Sequence, residues 1–488
     1  MKSKLLSLLL ICMAASVAQS QEKPYPIFET DFISPTEIKQ RRQKVMQSMG
    51  PGSIGFFFTN PVRNRNNDVD FKFRYDSSFY YLTGFEEPDA ALVLIPDGII
   101  IDGTRVREIL FTNESDAMSE TWLGYRMGPG NAKRLLLMEA AFPNKQFEPM
   151  LTQMALGASL QKSSLCSMPF GAGDMLGRMV KAYETWRTAS GFSNGANLAS
   201  LLRTMRGVKS PAEIALVKKA AEISVKGHIE AMRSAQPGMR EYEIGALVNY
   251  MFGRDGCEYE GYPAICGSGP NSTILHYNTN RKRMESGEVM CMDTAGEYHG
   301  YTADVTRSFP INGKFTKEQL EIYNVVLKGQ QIGIDLCTSG RSWNEISQKI
   351  SDSMANDMIK LGLISKASEL GRYYMHGFGH GLGLDVHDPA PRLLEPGVIL
   401  TVEPGIYIKE GSPCDPKYWN IGIRIEDDIL VTSGAPVNLS AGAPRDPKQI
   451  EALMAQKGIG NVAFQPIGAP VKPAPKATAA KGKSGKGN

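Results

Sequence analysis

His376-Gly377-Phe378-Gly379-His380-Gly381-Leu382-Gly383-Leu384-Asp385-Val386-His387-Asp388 holds three of the six histidines in a chain of 488 residues. Imidazole is the usual nitrogen ligand of transition metals and the side chain most readily poised to move protons near neutral pH. Histidines this scarce and this clustered mark a site. A glycine-rich turn that carries histidines by coincidence is the competing reading, and the acidic residues elsewhere in the chain weigh against it.

Upstream, Val289-Met290-Cys291-Met292-Asp293 reads as an apolar strand ending on an aspartate, and the chain then turns through Gly296 and Gly300 to a second aspartate, Asp304. A hairpin there brings both carboxylates to one point. Downstream, the apolar run Val398 to Val402 ends at Glu403, and Gly422-Ile423-Arg424-Ile425-Glu426 alternates so that Arg424 and Glu426 share a strand face. Charges at the ends or inward faces of apolar strands cost on the order of several kcal/mol unless something compensates them. Asp293, Asp304, Glu403 and Glu426 with a neutral His380 carry a charge of about −4, which matches two divalent cations. Oxygen-rich ligation with one nitrogen favours manganese, cobalt, iron or zinc over a thiolate site.

The rest of the chain frames this site. The length exceeds one hydrophobic core and implies two or three domains, and 42% hydrophobic with 22% charged residues is ordinary for a globular protein. Setting aside Lys2 and Lys4 near the start and five lysines after residue 470 turns the formal charge of +3 into −4, so no basic face for nucleic acid is expected. Lys2, Lys4, the apolar run Leu5 to Met13 and the small residues up to Ser20 read as an export signal over 1–20, which predicts a periplasmic or secreted protein. That run is too short to span a bilayer, and no stable membrane insertion is expected. The six remaining cysteines form no Cys-x-x-Cys pair; they permit disulfides without requiring them, and Cys291 reads as core.

Residues 30–205 alternate helical and strand patterns: a helix over Thr36 to Met49, strands over Ser53 to Phe58 and Ala90 to Pro96, and a turn at Thr83-Gly84-Phe85. Ser210-Pro211-Ala212-Glu213 reads as a capped helix start, and a second domain over 206–460 follows. Its long helices are expected over Ala212 to Ala235, Arg240 to Asp255, Thr316 to Cys337 and Trp343 to Leu361. Residues 461–488, rich in proline, alanine, glycine and lysine, read as a disordered basic tail. His228 on a helix and His299 in the turn between the aspartates are expected to pack or lie on the surface. Cys266-Gly267-Ser268-Gly269-Pro270 lacks the nucleophile-elbow pattern and reads as a turn.

The set Asp293, Asp304, His380, Glu403 and Glu426, with His276 in Ile274-Leu275-His276-Tyr277, resembles the dinuclear metal site of the pita-bread metallopeptidases, and most closely of aminopeptidase P (Xaa-Pro aminopeptidase). Arg41-Arg42-Gln43, Ser78 to Pro88 and Trp122-Leu123-Gly124 resemble that family's N-terminal domain. The resemblance implies an α/β (α+β) chain with a creatinase/aminopeptidase-P-like N-terminal domain and a pita-bread catalytic domain. It implies release of the N-terminal residue from peptides with proline second, with a hydroxide held between two divalent ions as nucleophile. Manganese is the first expectation for the metal, with cobalt or zinc as alternatives. Asp293 would bind one metal, Asp304 and Glu426 bridge both, and His380 with Glu403 complete the second. His276 and His387 would contact substrate and stabilise the tetrahedral intermediate, with Glu403 or the network around His387 as proton donor. His376 and Arg424 would shape the proline pocket. A homodimer or homotetramer is implied. Prolidase, restricted to Xaa-Pro dipeptides, and a non-catalytic peptide-binding relative remain as alternatives.

Overall fold

A computed structural model describes residues 23–157, 160–169, 171 and 174–462. The expected leader and all of the expected tail beyond Val462 lie outside the described residues. Asn461 and Val462, assigned from sequence to the tail, belong instead to a final helical turn, Ile459–Val462. Asn461 secures it, donating from Nδ2 to the Arg233 carbonyl at 2.8 Å and accepting from Gly458 N. The chain divides into two compact units, residues 1–202 and 203–488. No helix among the described residues is long and apolar enough to cross a membrane.

The first unit is built on a six-stranded mixed sheet, ordered Ala140–Pro143, Thr104–Thr112, Ala91–Ile101, Ser53–Phe58, Lys162–Leu165, Ser193–Asn194. Ser53–Phe58 is buried throughout, which its unbroken apolar sequence requires. The strand expected over Ala90 to Pro96 runs on to Ile101 through an irregularity between Leu94 and Ile99. Helix Pro35–Met49 starts where the Ser34 side chain accepts from Glu37 N. The turn expected at 83–85 is the end of helix Ser77–Thr83, with Gly84 at φ 65° in the left-handed region that glycine adopts freely. Arg42 is fully buried, donating to Glu108 at 3.0 Å and to the carbonyls of Leu82, Leu136 and Leu137.

The second unit opens with helix α1 (Pro211–Ser234). Ser210 and Glu213 form the reciprocal capping box that their spacing predicts. Helix α2 (Glu241–Arg254) follows, then strands β1 (Ile265–Ser268), β2 (Val289–Asp293) and β3 (Thr306–Pro310), which form one antiparallel sheet. Helices α3 (Lys317–Leu336) and α4 (Trp343–Lys360) lead to β4 (Ile399–Val402), β5 (Gly405–Ile408), β6 (Ile421–Arg424) and β7 (Asp427–Leu430). β4 pairs with β7 and β5 with β6, both antiparallel.

Register places the site. Asp293 pairs with Thr306, Val402 with Asp427, and Gly405 with Arg424. Glu403 therefore lies in the break between β4 and β5, Glu426 in the break between β6 and β7, and Asp304 two residues before β3. Each acid leaves an apolar strand at an end where its side chain can face a common cavity. None of the six cysteines from Cys166 to Cys414 forms a disulfide, and Cys291 is core in β2.

Candidate metal centre

Asp304, His380 and Glu426 present ligand atoms that all lie within 4.8 Å of one another. His380 Nε2 is 3.4 Å from Asp304 Oδ2 and 3.4 Å from Glu403 Oε1. Its Nδ1 is 3.1 Å from the Gly381 carbonyl, an acceptor only, so Nδ1 carries a proton and Nε2 is the nitrogen turned toward the carboxylates, where it would ligate a cation. The His380 backbone N–H donates to Thr401 Oγ1 at 3.0 Å, fixing the residue on β4. Asp293 reaches the same cluster through a shared neighbour, since Tyr262 Oη lies 2.5 Å from both Asp293 Oδ1 and Asp304 Oδ1.

Arg424 organises the opposite side. Its Nη2 meets Asp293 Oδ2 at 2.5 Å, its Nε donates to Thr306 Oγ1 at 3.1 Å, and its Nη1 donates to Tyr407 Oη at 2.9 Å. Thr306 in turn donates to Glu426 Oε2 at 2.6 Å. Tyr407 Oη is 2.8 Å from His376 Nε2, and His376 Nδ1 is 2.8 Å from the Gly377 carbonyl. His376 is therefore a neutral imidazole with both nitrogens engaged, a wall of the cavity and not a free donor. Burial, reinforced by Arg424, pulls its pKa down to about 4.

A cavity of about 590 Å³ is lined by Asp293, Asp304, His380, Glu403 and Glu426 together with His276, His376, His387 and Arg424. All nine residues given a metal, catalytic or substrate role from the sequence thus border one space. His276 and His387 are exposed in it, and the His387 ring centroid is 4.0 Å from that of His380. Partial burial and the neighbouring His380 hold His387 below its ordinary pKa.

The donor set fits divalent cations. Burial raises Asp293 despite Arg424, pushes Glu403 up to about 7, and lifts Glu426 well above the carboxylate range, where Asp304, Glu403 and Asp293 add repulsion. Burial also opposes ionisation of Asp304, yet the hydrogen bond and charge of His380 hold it below its ordinary value. His380 rises to about 9 against its own burial because Asp304 and Glu403 surround it. One arginine and one histidine cannot neutralise four carboxylates at this depth, whereas cations held by oxygen ligands can.

Sequence reasoning missed Tyr262 and Tyr407, which lie among apolar neighbours with no spacing that marks them. His299 packs, one of the two roles expected for it. That residue is fully buried, with φ 46°, and Glu258 takes its Nδ1 and backbone N–H, both at 2.9 Å. His228 packs on its helix as expected, but with its Nε2 2.9 Å from the Thr294 carbonyl beside Asp293. Ser268 is buried against Glu241 and is not a nucleophile.

Two family descriptions match the chain: "Metallopeptidase family M24" over residues 215–433 and "Aminopeptidase P, N-terminal domain" over residues 38–162. The Xaa-Pro aminopeptidase of Escherichia coli is 36% identical over 86% of this chain and 98% of its own length. The chain belongs to the aminopeptidase P family. Human Xaa-Pro aminopeptidase 3 is 30% identical over 88% of this chain and 87% of its own. Among solved structures, E. coli aminopeptidase P with the inhibitor Pro-Leu superimposes with a TM-score of 0.80, at 36% identity over 87% of this chain and 98% of that one. The Pseudomonas aeruginosa aminopeptidase PepP gives 0.81, at 34% identity over 87% and 99%. Family membership fixes the two-domain architecture, an aminopeptidase P N-terminal domain followed by a pita-bread metallopeptidase domain, and makes the chain a metalloaminopeptidase.

Proposed function

We propose that this enzyme releases the N-terminal residue from peptides with proline in second position, using two divalent cations, manganese first among them. The observation that carries this reading is the convergence of three buried carboxylates, the half-buried Glu403 and His380 on one cavity whose wall bears three further histidines. Asp293, Asp304, His380, Glu403 and Glu426 would hold the cations. When bound, such ions supply Lewis acidity that activates water and polarises the scissile carbonyl.

The chain's own residues do the rest. His276 and His387 offer imidazole N–H donors to the carbonyl oxygen as it gains negative charge. Glu403 takes the proton that water gives up on attack and delivers it to the departing proline nitrogen, which has no hydrogen of its own in the peptide. His376, locked by Tyr407 and Gly377, gives the proline ring a fixed wall. Arg424 holds Asp293 in its ligating orientation and, through Thr306, Glu426 as well.

The test is hydrolysis of Xaa-Pro-Yaa, Xaa-Pro and Met-Ala-Ser peptides by chelated protein resupplied with Mn(II). Cleavage confined to Xaa-Pro dipeptides would make it a prolidase, and no cleavage with no bound metal would make it a binding protein. We further propose export from the cytoplasm, on the composition of residues 1–20. Self-association is supported by the exposed Trp122, Leu123 and Tyr125 of the N-terminal unit. Cell fractionation and light scattering test the two.

A further inference from the structure

Glu241, the first residue of α2, is fully buried yet lines no part of the cavity. Its carboxylate accepts five hydrogen bonds. Oε1 takes Ser268 N and Oγ at 2.8 Å each and Asn271 Nδ2 at 3.0 Å; Oε2 takes Tyr277 Oη and Lys282 N at 2.9 Å each. All five donors belong to the segment 268–282, and Glu241 N also donates to the Lys282 carbonyl at 3.1 Å. The negative charge sits at a helix N-terminus, where free N–H groups favour it.

The segment so gathered carries Leu275, His276 and Asn278, which border the cavity. Ile274 is 46% exposed and His276 is also exposed, so the tip has little core of its own to hold it. Ser272 and Asn280 add ties at its shoulders, to Gly422 N and to Cys266 N with the Ala264 carbonyl. Tyr277, next to His276, is bound to Glu241. A carboxylate that takes donors from both ends of a loop and from the residue beside its functional side chain sets that side chain's position at a stroke.

We propose that Glu241 is a positioning residue for His276, acting through Tyr277 and the 268–282 loop. The inference rests on the aminopeptidase reading for its kinetic consequence but not for its structural one. Glu241→Gln keeps the shape and replaces one acceptor oxygen with a donor, so at least one of the five donors loses its acceptor. Amide hydrogen exchange across 272–279 should then accelerate, and kcat/KM on an Xaa-Pro-Yaa peptide should fall about tenfold, the worth of a charge-assisted hydrogen bond. In a His276→Ala background the same change should cost less than about twofold, because the side chain it positions is gone.

Equal losses in both backgrounds, or exchange across 272–279 unchanged, would overturn the proposal. Tyr277→Phe removes one donor and leaves the carboxylate intact. It should show the same pattern at about threefold, and carries the test if Glu241→Gln does not fold. If the wild-type protein cleaves no Xaa-Pro peptide, the activity reading fails while the exchange measurement still decides the positioning role.

Discussion

His228 should make this protein acid-labile in a window set by one side chain. Its ring is fully buried, with Nε2 2.9 Å from the Thr294 carbonyl and no well-formed hydrogen bond at Nδ1 among the described residues. A carbonyl only accepts, so the neutral Nε2–H tautomer is the folded form. Burial first and the charge of Arg307 second pull the folded pKa down to about 4 from an ordinary 6.5. The unfolded chain therefore binds the proton more readily between those values, and folding stability rises with pH across them and falls as the solution is acidified. That lowering corresponds to about 3 kcal/mol at full effect, with about 2 kcal/mol of it gone between pH 7 and pH 5. Denaturant unfolding of the wild type and of His228→Gln at several pH values measures this, since glutamine can keep the bond to Thr294 but does not titrate. The wild type should lose about 2 kcal/mol more than the variant on going from pH 7 to pH 5. Parallel pH dependences for the two proteins would refute the reasoning.

Further outcomes follow from the metal centre. Glu403→Gln should fold and lose about two or more orders of magnitude in turnover on Xaa-Pro-Yaa peptides, judged by steady-state kinetics beside a circular dichroism control; near wild-type turnover sinks the assigned role. Glu403, raised to about 7, contributes stability to the chelated protein that is present below its ordinary carboxylate range and lost as pH rises through about 7. Added Mn(II) should therefore raise the melting temperature more near pH 8 than near pH 6, as scanning fluorimetry can show. Arg424→Lys cannot reproduce bonds to Asp293, Thr306 and Tyr407 at once, and metal affinity should drop about 10- to 100-fold by competition with a chelator of known strength.

What was legible in the sequence was local. The cap at Ser210 and Glu213, the buried strand at Ser53–Phe58 and the acids ending β2 and β4 follow from spacing over a few residues, where chain geometry alone fixes the neighbours. The positions of Asp304 and Glu426 needed only strand register in addition. Tyr262, Tyr407 and Glu241 were not legible, because each acts on a partner brought close by tertiary folding. Tyr262 meets Asp304 across 42 residues of chain, and Glu241 meets Lys282 across 41. Whether His299 packs or lies on the surface was likewise not legible, because its Glu258 partner is 41 residues away in the chain.

The glycines among the clustered histidines have a consequence for engineering. None of Gly377, Gly379, Gly381 and Gly383 adopts a positive φ; clearance is what separates them. A methyl group on Gly379 would run into the Thr401 carbonyl, one on Gly381 into the Asp388 carbonyl, and one on Gly383 into the Asp388 carboxylate, which Arg206 and Lys209 hold in place. At Gly377 the nearest atom is 3.9 Å away. A library meant to retune which residues are accepted around proline has room at position 377, while the next three glycines are closed to it, since any side chain there would have to displace the backbone of Thr401 or Asp388 or the Asp388 carboxylate.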